Sequence, residues 1–62
     1  MNSETMALIE LARINSLIAD KNKEIAIANR ELSLGHWLSD HATACEEINK
    51  CIEYHFERIS KL

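Results

Sequence analysis

The stretch Glu31-Leu32-Ser33-Leu34-Gly35-His36-Trp37-Leu38-Ser39 decides how this chain folds, because two seven-residue repeats meet there out of phase. Upstream, Leu11, Ile18, Ile25 and Leu32 recur at a spacing of seven. Downstream, Leu38, Cys45, Ile52 and Ile59 do the same. Carrying the first spacing onward lands instead on Ser39, Glu46, Glu53 and Ser60, so the register slips by one residue beside Gly35. A glycine just past a helix is the usual residue to adopt the left-handed conformation that ends it. A slip and a stop at one place predict a turn rather than a single rod of about 58 residues.

Working outward from the turn, helix 1 is predicted over about 4–33, the turn over about 34–37 and helix 2 over about 38–61, with Ser3 or Asn2 as the first cap. A connection of about four residues forces near-antiparallel neighbours. The expected fold class is therefore all-α: a two-helix antiparallel hairpin. Glu46 with Lys50, and Glu57 with Lys61, are i,i+4 pairs of the favourable orientation and support helix 2.

Writing Leu11, Ile18, Ile25 and Leu32 as the a column puts Ala7, Ile14, Lys21 and Ala28 at d. Ala12, Ala19 and Ala26 form a third column, and Asn15, Asn22 and Asn29 a fourth. In helix 2 the a column is Leu38, Cys45, Ile52 and Ile59, with Leu34, His41, Ile48, His55 and Leu62 at d. Leu8, Ile9, Leu17 and Ile27 are apolar outside the first seam. Faces this broad exceed what one helix partner covers and suit a bundle. With 47% hydrophobic residues in 62 positions, the chain has more apolar surface than a hairpin hides. Pairing of two hairpins into a homodimeric four-helix bundle is therefore expected. Its seam would be built from Leu11, Ile14, Ile18, Ile25 and Leu32 on helix 1, and Leu38, Cys45, Ile48, Ile52 and Ile59 on helix 2. Lys21, His41 and His55 interrupt it.

The net charge of −3, with both signs interspersed, argues against a sequence-independent nucleic-acid binder, which needs a basic face. Lys21, Lys23 and Arg30 are the local exception, diluted by Asp20 and Glu24. No apolar run is long enough to span a membrane, and Met1-Asn2-Ser3-Glu4 lacks the basic start of a signal peptide. These features predict a cytoplasmic protein whose Cys45 and Cys51 are reduced thiols.

His41, Cys45, Cys51 and His55 form a palindromic His-x3-Cys-x5-Cys-x3-His pattern on one side of helix 2. Both types ligate zinc, and an antiparallel contact between two copies of helix 2 would assemble two Cys2His2 sites. The spacing is foreign to structural zinc motifs, however. The simpler expectation is no metal and no cofactor, with Cys45 as a small core residue and the histidines at the seam edge. Histidines in a seam also suggest that a proton on the ring would loosen the bundle. Cys51 beside His55 has no oxyanion donors and no glycine-rich loop around it, so no catalytic residue is expected. Trp37 is predicted to plug the end of the hairpin against Leu34 and Leu38, or, if exposed, to bind a partner. Tyr54 is a second candidate partner-binding residue.

The expected function is that of a small non-enzymatic protein-interaction module acting as a homo-oligomer. The alternatives are a nucleic-acid-associated regulator using Lys21, Lys23 and Arg30 from two protomers, and a zinc-stapled structural dimer. In size, charge and all-helical make-up over its whole length, the chain resembles the small accessory proteins of the early regions of lambda-like temperate phages. That general likeness transfers no residue. It implies a host-directed role in modulating another protein.

Overall fold

Two helices account for the chain: α1, Ser3–Ser33, and α2, Ser39–Ser60. The computed structural model describes residues 2–35 and 39–62. Trp37 and Leu38, and the second half of the predicted turn, lie outside the described residues. Both helices agree with the sequence-based ranges to within one residue at each end.

The ends of α1 follow from local chemistry. The Asn2 side chain accepts a hydrogen bond from the Thr5 backbone N–H at 2.8 Å, which satisfies one of the orphan donors of the first turn. Of the two predicted caps, Asn2 is the one used. At the other end Leu34 N–H donates to the Glu31 carbonyl and Gly35 N–H to the Leu32 carbonyl, at 3.1 and 3.0 Å. Gly35 has φ +77°, the left-handed residue the register slip predicted. At the end of α2, Glu57 and Lys61 form the predicted ion pair at 3.1 Å.

The helices pack along their length into a rod of 50 × 14 × 11 Å with a radius of gyration of 14.8 Å. A globular domain of this length would have a radius near 11 Å. The shape has a direct consequence for burial. Among the described residues only Ile14, at 3% exposure, is a buried hydrophobic, and the other buried residue is Glu10, at 5%.

The contact between the helices is made by a different pair of columns from those a plain zipper would use. On α1 the covered residues are mainly Ala7, Ile14, Lys21 and Ala28 at d, and Glu10, Leu17, Glu24 and Glu31 at g, three residues on; Ile9 and Ile27, outside these columns, are half-covered as well. On α2 they are His41, Ala44, Cys45, Ile48, Asn49, Ile52, His55 and Ile59. The α1 a column therefore faces away from the centre of the hairpin seam. Leu11, Ile18, Ile25 and Leu32 are each 41–59% exposed.

The turn gives a test. A Cβ on Gly35 would meet nothing within 4 Å, so the cost of a side chain there is conformational alone. Gly35→Ala is expected to destabilise the folded chain by about 1 kcal/mol, and Gly35→Asn by clearly less, because asparagine tolerates the left-handed region. Equal denaturation midpoints for the alanine variant and the wild type would show that the turn does not need this conformation.

Candidate functional site: ionic clamps and an uncharged face

The polar part of the hairpin seam is two carboxylate–imidazole pairs. His55 Nδ1–H donates to Glu10 Oε2, and His41 Nδ1–H to Glu24 Oε1, each at 2.5 Å. Glu10 and Glu24 are fourteen residues apart on α1, as His41 and His55 are on α2. The same interval on both helices lets one antiparallel register close both pairs. Glu10 was not singled out from the sequence, and Glu24 only as a charge diluting the basic cluster, although their fourteen-residue spacing against that of the histidines was the available signal.

Glu10 is also the centre of a larger cluster. Its Oε1 accepts from Arg58 Nε at 2.9 Å and lies 3.6 Å from Arg13 Nη1. Burial by itself pushes this carboxyl upward. The His55 hydrogen bond and the Arg58 charge outweigh it, so the net pKa lies below the ordinary carboxylate value. Arg58 Nη1 in turn donates to the Tyr54 hydroxyl at 3.0 Å, with the guanidinium 5.6 Å from the ring centre. The Tyr54 hydroxyl and then the Glu10 carboxylate push the Arg58 pKa further up. Tyr54 is exposed, as a partner-binding residue must be, but Arg58 and an edge contact with His55 hold its ring.

His41 and His55 commit Nδ1 to carboxylates of α1, Cys45 is half-buried and Cys51 exposed. Among the described residues no three of His, Cys, Asp and Glu gather as metal ligands do. Each imidazole thus faces a carboxylate of α1 rather than an apolar wall. Of the basic residues, Lys21 is half-buried in the hairpin seam while Lys23 and Arg30 are exposed. Two residues of helix turn the chain by about 200°, so Lys21 and Lys23 point to opposite sides of α1.

Opposite this charged side, the hairpin presents an uncharged face. Ile25, Ala28 and Asn29 of α1 and His41, Ala42 and Cys45 of α2 line one groove of about 160 Å³. They come from the a, d and e columns of both helices, e being the position after d. The a and e columns therefore share the face that borders the groove. From Leu8 to Ile59 these columns read Leu8, Leu11, Asn15, Ile18, Asn22, Ile25, Asn29 and Leu32 on α1, then Ala42, Cys45, Asn49, Ile52, Phe56 and Ile59 on α2. None is charged. The acidic residues of α2 (Asp40, Glu46, Glu47, Glu53 and Glu57) all fall on its other columns.

Comparison with known proteins gives no match: no family model, no curated protein and no solved structure is similar to this chain. Among the described residues, no helix is long and apolar enough to cross a membrane.

Because the Glu10 pKa is lower in the folded chain than in the unfolded one, its stabilisation is complete above the ordinary carboxylate range and drains as pH falls through the lowered value. Thermal stability is expected to drop below about pH 4. In Glu10→Gln the drop should be shallower, from a lower starting point at pH 7. Parallel pH profiles for the two proteins would assign the acid sensitivity to other carboxylates.

Proposed function

We propose that this chain is a non-enzymatic protein-interaction module that acts as a homodimer, two hairpins pairing through their uncharged faces into a four-helix bundle. The observation that carries this reading is the mismatch between apolar content and burial. One hydrophobic side chain is buried among the described residues, while Leu8, Leu11, Ile18, Ile25, Leu32 and Phe56 on the uncharged face are each 41–61% exposed. An isolated rod with so little core is marginal. An uncharged face about 36 Å long on α1, apolar at Leu8, Leu11, Ile18, Ile25 and Leu32 and interrupted by Asn15, Asn22 and Asn29, has the size and composition of a protein-contact surface.

Pairing through that face leaves the charged columns outside. The outer surface of α2 then carries five carboxylates against Lys50, Arg58 and Lys61. That surface, with Tyr54 on it, is what the dimer offers to another protein. The general likeness to phage accessory proteins is in keeping with such a role in modulating a host protein.

The reading is tested by mass in solution. At micromolar concentration the wild type is expected at twice the chain mass by light scattering or sedimentation. Covering the exposed half of an isoleucine contributes on the order of 1 kcal/mol. Ile18→Lys with Ile25→Lys is therefore expected to weaken association at least about tenfold. A wild type that is helical and monomeric under these conditions would sink the proposal.

A further inference from the structure

Resting on the dimer proposed above, we infer that the two copies dock with α1 of one against α2 of the other, their two-fold axis running along the bundle. In this arrangement Leu8 faces Phe56 of the second copy and Asn15 faces its Asn49.

The argument starts from the register of the hairpin. Glu10 lies opposite His55 and Glu24 opposite His41. A step forward along α1 is therefore a step back along α2. By that register Leu8 is level with Phe56, Asn15 with Asn49 and Asn22 with Ala42, each to within about one residue.

Within one hairpin these residues stand off the centre of the α1–α2 seam, Asn49 alone among them being half-covered. The g column of α1 takes that side, with Glu10 meeting Arg58 across it. The e columns lie on the far flanks of the uncharged face. Leu8 is 61% exposed and Phe56 52%, and Asn15, Asn22 and Ala42 are exposed as well. In a four-helix bundle the a and d columns fill the centre, and each helix turns one flank to each neighbour. The g flank is occupied inside the hairpin, so the e flank is left for the second copy.

Rotation about an axis parallel to the helices preserves height. Residues level within one hairpin are then level between copies. The e column of α1 meets the e column of the second α2 with large apolar beside large apolar, amide beside amide, and Asn22 beside the small Ala42. No charge enters either flank. The competing arrangement sets α1 against α1 and α2 against α2 about an axis across the bundle. Because the hairpin register ties the two centres together, centring the α2 pair on Asn49 centres the α1 pair near Asn15. That puts Leu8 against Asn22 of the other copy and leaves both imperfectly matched. Centring α1 on Asn22 instead moves the α2 pair to its first turn and loses most of its overlap.

The test is site-directed cross-linking in full-length chains with Cys45→Ala and Cys51→Ala, so that the introduced thiols are the only ones. One chain carries Asn15→Cys and another Asn49→Cys. After mixing and mild oxidation, a covalent dimer is expected in the mixture at several times the amount formed by either chain alone. Leu8→Cys with Phe56→Cys repeats the test at the other end of the same interface. Should the alanine background lose helix, isotope-filtered NOEs between Leu8 methyls and the Phe56 ring of the other copy give the same readout in the wild type. Efficient self-linking of Asn15→Cys chains, or a dimer lacking these cross-copy contacts, would overturn the arrangement and leave the dimer intact. A monomeric mass would remove the dimer itself.

Discussion

The hairpin depends on a carboxylate held between two helices. Glu10 is nearly out of water, and an ion there is tolerated only if every lone pair has a donor. His55 and Arg58 supply those donors from α2, and Arg13 adds a nearby positive charge from α1 itself. Two of the three partners sit across the seam, so the cluster forms only when the helices are docked in one register. Glu24 with His41 repeats the pairing two heptads on, without the arginine. A slide of one helix turn would break both pairs at once. The polar groups thus choose the register in which the few apolar contacts, centred on Ile14, are then made.

That choice has a consequence for the other side of the molecule. Spending the d and g columns of α1 on the hairpin turns the a column outward. The same rotation brings the a and e columns of both helices onto one face and sorts the charges onto the other. The apolar groove lined by Ile25, Ala28, Ala42 and Cys45 is the visible product. The ionic cluster and the uncharged face are two sides of one packing arrangement, linked by helix phase. Any partner that covers the face does so without desolvating a formal charge, which removes the largest usual penalty on helix association.

Much of the fold was legible in the sequence, for identifiable reasons. Gly35 and the slip between the Leu32 and Leu38 series located the turn, because a heptad spacing is a direct record of helix phase. Asn2 as first cap and the Glu57–Lys61 pair needed only local chemistry. The candidate site was less legible. Lys21, His41 and His55 were recognised as intrusions into a seam, but what they face depends on the other helix. The pairing of His55 with Glu10 joins residues forty-five apart, and no local pattern marks it. Reading His41, Cys45, Cys51 and His55 together as a metal pattern followed from their spacing on one helix. It took no account of the carboxylates that α1 presents to both imidazoles.

The sequence by itself determined two helices, their ends, the turn between them and an excess of apolar surface over what one hairpin can bury. Each of these is a property of neighbouring residues or of periodicity along a single helix. Only the tertiary structure decided which columns of α1 meet α2, because a broad apolar face allows several rotations of nearly equal apolar burial. In the rotation adopted, Glu10 is withdrawn from water against His55 and Arg58 and Glu24 meets His41, so that the ionic groups of both helices are matched.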